Sequence, residues 1–179
     1  MQSLTDQLVE FIRAQPMFFV ATATAGGRVN VSPKGMDTLR VLGPDRIAWL
    51  NLTGSGNETA AHVGANGRMT LMWCSYGQMP MTLRVYGRAR VVHPRDDDWE
   101  TLVGGFPELA GSRQIFDLTI EEAATSCGTG VPIMSLDAVR ADTELVPFYE
   151  AMSDDELREY WAAKNTTSID GLPTRILSD

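Results

Sequence analysis

With only two cysteines and two histidines in 179 residues, the chain has little material for metal or thiol chemistry. Cys74 and Cys127 are too few for a disulfide framework, and neither falls in a metal-ligand spacing. No catalytic triad or metal cluster stands out around His62 or His93. Basic residues are scarce as well. Fifteen Lys and Arg face 23 Asp and Glu, a formal net charge of −8, which argues against a nucleic-acid or acidic-membrane surface because either needs a basic footprint. No apolar run approaches the roughly 20 residues of a membrane span. The opening "MQSLTDQLVEFIRAQ" carries charges through its apolar pattern and lacks a signal-peptide core. Repeats, linkers and low-complexity segments are missing too. These absences predict one soluble, cytoplasmic domain over residues 1–179, with no nucleic-acid or membrane partner.

Short β-like runs punctuated by turns make up most of the chain. Leu4, Leu8, Phe11 and Ile12 recur at helical spacing, with Ser3 or Thr5 as N-cap and Pro16 as the stop. Then follow "MFFVATA", "RVNVSP", "LRVL", "RIAWLNL", "RMTLMWCSY" and "MTLRVYGRARVVH", separated by Gly-, Pro- and Asp-rich turns. In the last run, Leu83, Val85, Ala89 and Val91 share one parity, and Thr82, Arg84, Tyr86, Arg88 and Arg90 the other. That is a half-buried strand with a polar face. "PRDDDWETLVGGF" reads as a short helix, and "RQIFDLTIEEAATSC" as a strand with some helical character. Six or more strands with few helices between them favour a mainly β fold, an antiparallel barrel with peripheral helices. Gly87 suits a bend that such a barrel requires.

The segment "NLTGSGNETAAHVGANG" admits two readings. Ser55 and Glu58 have the spacing of a capping box, Ala60, Ala61 and Val63 supply a short helix, and Asn66-Gly67 ends it. The same arrangement exposes free amides at a helix start and lets an anion approach glycine backbone closely, so that Ser55, Asn57 and Thr59 could hold a phosphate. A second capping box, Ser153 to Glu156, opens a helix that sets Leu157, Trp161 and Lys164 on one face. That face either docks on the body or closes over a ligand pocket. Trp49, Trp73 and Cys74 read as strand core, His62 as a helix residue, His93 as a strand end, and Cys127 as a thiol among small residues.

The ordered series "FFVATATAGGRVNVSPKG", "IAWLNLTGSGNETAAHV", "GRMTLMWCS" and "LRVYGRARVV" resembles the pyridoxamine 5′-phosphate oxidase-like family of FMN-binding split β-barrels. The resemblance spans most of residues 15 to 95, and extends more loosely through "SCGTGVPIM" and "KNTTSIDGLP". It implies a homodimer with FMN at its interface. Lys34 then matches the basic residue ending the second strand, near the pyrimidine edge of the flavin, with Asn30 and Ser32 on the same parity. Ser55, Asn57 and Thr59 match the phosphate loop, and Arg84 an arginine on the following long strand. Trp161 and Lys164, in a C-terminal helix and tail over about residues 153–179, would lie near the cofactor. Departures from the family pattern argue against pyridoxamine phosphate oxidation itself. The phosphate loop "SGNET" carries no basic residue, Thr82 replaces a glutamine, and the tail "SIDGLPTRILSD" lacks the arginine-rich substrate signature. The resemblance therefore implies an FMN-dependent oxidoreductase of unidentified small-molecule substrate and electron donor. Three rivals stand beside it: a non-catalytic flavin- or haem-binding protein, for which His62 or His93 would have to ligate iron, a deazaflavin-dependent reductase, and a cofactor-free interaction domain.

Overall fold

A computed structural model describes residues 3–177 of the chain. Helix α1 (Asp6–Ala14) is capped by Thr5, whose hydroxyl accepts from the Leu8 amide, and ends at Gln15 just before Pro16. Seven antiparallel strands follow: β1 (Phe18–Thr22), β2 (Asn30–Lys34), β3 (Leu39–Gly43), β4 (Arg46–Leu52), β5 (Arg68–Cys74), β6 (Thr82–Val92) and β7 (Ser112–Ser126). Helix α2 (Glu58–Asn66) joins β4 to β5, and the short α3 (Trp99–Val103) joins β6 to β7. A turn at Arg140–Asp142, α4 (Leu145–Glu150) and α5 (Asp154–Lys164) complete the chain.

All seven strands form one sheet in the order β2-β1-β5-β6-β7-β4-β3. The strands at its two ends, β2 and β3, are consecutive in the chain and joined only by residues 35–38, so the sheet must curl strongly to bring its edges near each other. Pro33 sits in β2, an edge strand, where its missing N–H costs no ladder bond. The mainly β expectation agrees with this architecture.

Inside the curl, Val20, Ile47, Leu71, Leu83, Val85, Phe116 and Leu118 are fully buried. Trp49 stacks on Phe116 with ring centroids 4.6 Å apart, and Phe18 meets it edge-on at 6.1 Å. Trp49 and Trp73 are thus core residues. The parity proposed for β6 holds in its middle, with Leu83, Val85, Gly87 and Ala89 inward and Tyr86, Arg88 and Arg90 outward, but not at its ends, where Thr82 is buried and Val92 rather than Val91 is fully buried. The helical character suggested for "RQIFDLTIEEAATSC" does not appear: this is β7, buried continuously from Arg113 to Leu118, because Phe116 and Leu118 face the main core on one side and Ile115 packs with Trp99, Leu102 and Phe106 on the other.

Asp117 ties three strands together. Its carboxylate accepts from Arg46 Nε (2.8 Å) and Nη2 (2.9 Å) and from Arg90 Nε (3.0 Å). Burial raises its pKa, but the two guanidinium groups outweigh that and hold it below the ordinary carboxylate value. A depressed pKa contributes stability above the unfolded value of about 3.9, and that contribution is lost as pH falls through the folded value. Asp117→Asn is expected to lower stability by about 1–2 kcal/mol at neutral pH. In urea titrations the gap from wild type should close in acid; a gap that is constant with pH would contradict the assignment.

Candidate functional site

Strand β2 brings two distant parts of the chain to one place. Its half-buried residues Asn30, Ser32 and Lys34 share a parity, while Val31 and Pro33 face out. At one end, Asn30 Nδ2 donates to Thr59 Oγ1 on α2 (3.1 Å). At the other, Lys34 Nζ lies 5.5 Å from the ring centroid of Trp49 on β4. The gap between β2 and β4 holds a cavity of about 230 Å³, lined by Lys34, Trp49, Asn51, Thr53, Gly54, Gly56 and Arg113 among others.

Arg113 is the residue that sequence reasoning missed. It begins β7, is only 4% exposed, and lies directly beneath the glycine loop. Its guanidinium donates to the carbonyls of Gly54 (3.3 Å) and Gly56 (2.8 Å). In the amide orientation that avoids setting like groups face to face, Asn51 Oδ1 also accepts from Arg113 Nη2 at 2.7 Å. Among the described residues, no carboxylate lies within salt-bridge distance of Arg113 or of Lys34. Burial pushes the Arg113 pKa down to about 10, still protonated at neutral pH. Burial first, and then the charge of Arg113, lowers that of Lys34. The loop that carries no basic residue of its own thus receives its positive charge from a strand behind it.

The capping box expected between Ser55 and Glu58 does not form. Asn57 is the N-cap of α2 and makes no side-chain cap bond, while Ser55 is exposed. The Glu58 carboxylate instead accepts from the amides of Asn57 (3.0 Å) and Ile169 (3.1 Å). Burial raises its pKa, but these backbone donors lower it further. Asn57 is occupied elsewhere because the C-terminal tail needs it: its Nδ2 donates to the carbonyls of Lys164 (2.8 Å) and Thr167 (2.9 Å), and its Oδ1 accepts from Asn165 Nδ2 (2.8 Å). The amides of Ser55 and Gly56 donate to nothing among the described residues. Gly54 and Gly56 have no positive φ, and a Cβ on either would meet nothing within 4 Å. Nothing inside the chain requires these glycines, and the space above them is open to a ligand.

The C-terminal helix docks beside this loop. The capping box of Ser153 and Glu156 is present at its start. Trp161 Nε1 donates to Thr53 Oγ1 (2.9 Å), and Asn165 Nδ2 donates to Gly54 O (2.8 Å). Lys164 is exposed, and contributes its carbonyl to Asn57. Of the candidate residues, Lys34 alone lines the cavity; Asn30 meets Thr59 at the other end of β2 with Ser32 between them, Ser55 is exposed on the loop, and Asn57, Trp161 and Lys164 lie where the tail docks on it. Arg84 stands apart: half-buried on β6, it donates to Ser126 Oγ at 3.2 Å.

An antiparallel sheet curled on itself, with a cationic gap beside the strand-to-helix loop after β4, defines a class, and the sequence comparison agrees with it. Residues 4–127 match the family model described as pyridoxamine 5′-phosphate oxidase, and the chain belongs to that family. Among its relatives is the pyridoxamine 5′-phosphate oxidase family protein ustO of Aspergillus flavus, 35% identical over 188 residues that cover 96% of this chain and 76% of that protein. Solved structures share the fold. A candidate pyridoxamine 5′-phosphate oxidase from Lactobacillus delbrueckii aligns with TM-score 0.57 and 24% identity over 69% of this chain and 95% of its own. A FAD-binding protein from Mesorhizobium loti aligns with TM-score 0.51 and 15% identity over 69% and 94%.

Proposed function

We propose that the chain binds FMN in the gap between β2 and β4 and acts, as a homodimer, as a flavin-dependent oxidoreductase of a small molecule. One observation carries this reading: two cations without carboxylate partners, Lys34 and Arg113, line one cavity at the foot of an open glycine loop. A buried charge lacking a counter-charge is costly, and an anionic ligand lowers that cost. When bound, the flavin supplies the hydride and electron chemistry, and the protein supplies orientation, charge and exclusion of water.

In this reading, Asn30, Ser32 and Lys34 face the ring, with Asn30 already positioned by Thr59. Phosphate is held by the Ser55 and Gly56 amides and by the hydroxyls of Ser55 and Thr59. The Thr59 oxygen accepts from Asn30 and can still donate to an anion. Asn57 acts through the loop, which it anchors to the tail. Trp161 and Lys164 wall the site. A cavity of about 230 Å³ is smaller than the ~300–1,000 Å³ usual for a ligand of this size, and a second copy would complete it. Val31 on the edge strand β2 (61%) and Val29 just before it (72%) are exposed, as a surface awaiting a partner would be. Arg84 then serves the cofactor of that second copy. The haem alternative is less favoured because His62 and His93 are both buried, at 0% and 6% exposure.

The test is the double variant Ser55→Ala, Thr59→Ala. FMN affinity should fall by about tenfold or more, since hydrogen bonds to a charged group contribute about 1.5–3 kcal/mol each, while riboflavin affinity should fall by much less, through the release of Asn30 from Thr59 alone. Ser55→Ala alone should change stability by less than about 0.5 kcal/mol, because Ser55 caps nothing. Equal losses for FMN and riboflavin would remove the phosphate from this loop.

A further inference from the structure

The turn after β2 borders more than one space. Met36 lines the gap that holds Lys34 and Arg113, and it also lines a neighbouring cavity of about 390 Å³. Residues 142–145 serve both in the same way, giving Asp142 to the second cavity and Leu145 to the first. Met36 holds a left-handed backbone, φ 63°, a conformation that a Cβ disfavours and that clusters at functional positions.

The second cavity differs in character from the first. Pro16, Met36, Pro107, Leu109, Leu136 and Val139 form its apolar walls, and Leu136 is 64% exposed. Its volume falls within the ~300–1,000 Å³ of small-molecule sites, which are mostly apolar with a few placed polar groups. Here the polar groups are Gln15, whose amide donates to the Phe11 carbonyl, and the carboxylates of Asp37 and Asp142. Arg40 occupies both oxygens of Asp37. Among the described residues, no cation lies within ion-pair distance of Asp142, and none lines the cavity. Arg140, from the same turn as Asp142, lines a separate hollow with Phe148. An anion in the cavity would face Asp142 with nothing to offset its desolvation, whereas a cation would gain a partner.

We propose that this cavity holds the substrate beside the bound flavin, and that it takes a mainly apolar molecule with a cationic group and turns away anions such as phosphate esters. This rests on the FMN reading and adds to it the class of substrate.

The experiment is a calorimetric titration of the protein, as purified and after saturation with FMN, with three probes of one shape: naphthylethylamine, naphthylethanol and naphthylacetate. The amine should bind about tenfold or more tightly than the acetate, because Asp142 attracts one and repels the other. Leu136→Lys, at an exposed position that the fold tolerates, should weaken the amine by about tenfold, and Asp142→Asn should narrow the gap between amine and alcohol. With FMN bound, the amine should shift the visible flavin band. Acetate bound as tightly as amine, or an amine affinity indifferent to Leu136→Lys, would overturn the inference and leave the FMN reading standing. So would tight amine binding that leaves the band of bound FMN unchanged, since the cavity would then not adjoin the flavin. If no probe binds and sedimentation shows Leu136→Lys turning a dimer into a monomer, the cavity is a contact between copies, and the inference is again overturned. Amine binding to a protein that takes up no flavin would overturn the FMN reading, and the substrate role with it, while the cavity stands as a cation site.

Discussion

Gly87→Ala is expected to cost more than about 3 kcal/mol, a large part of the ~5–15 kcal/mol that holds a domain folded. A Cβ at position 87 would lie 2.1 Å from the carbonyl oxygen of Thr119 and 3.0 Å from Leu118 Cδ1. Neither neighbour can give way easily. The Thr119 atom is backbone in β7, and the β6–β7 register shifts between Tyr86 and Gly87, which sets that carbonyl against position 87. This pairing runs from Thr82 to Val92 and joins the halves of the sheet, so a break there is felt throughout. Urea denaturation checks it: a variant within 1 kcal/mol of wild type would show that the strands can separate at little cost.

Asn57→Ala is the second large effect, and a local one. The substitution leaves the Lys164 and Thr167 carbonyls without their donor and removes the acceptor for Asn165, which is only 1% exposed. Buried polar groups left unsatisfied cost about 1–3 kcal/mol each, so a loss of about 3 kcal/mol is expected. It should fall on the tail, since the sheet makes none of these bonds. Hydrogen exchange should show residues 165–177 losing protection while β5, β6 and β7 keep theirs. Unchanged protection of the tail would mean that its remaining bonds, from Trp161, Asn165, Ile169, Asp170 and Arg95, hold it without Asn57.

The strands were legible in the sequence because one face of most of them is buried. The alternation in "LRVYGRAR" maps onto the middle of β6. It failed in β7, where a core cluster covers each face and the period of two disappears. The second capping box was legible because Ser153 and Glu156 have no competing partner. The first was not, since Asn57 and Glu58 are claimed by a tail more than 100 residues away. Arg113 was invisible for a similar reason. A single arginine at the head of a strand gives no sign that it will underlie a loop 57 residues earlier. Lys34, by contrast, was singled out through the family resemblance, and it lines the cavity between β2 and β4.

The most direct test of the central claim is titration of the purified protein with FMN, followed by visible absorbance and by quenching of flavin fluorescence. Saturable binding of one FMN per protomer, tighter than that of riboflavin and weakened in Lys34→Met, is the predicted result. A protein that leaves the spectrum and fluorescence of added FMN unchanged would contradict it, and the cations Lys34 and Arg113 would then need a different anion.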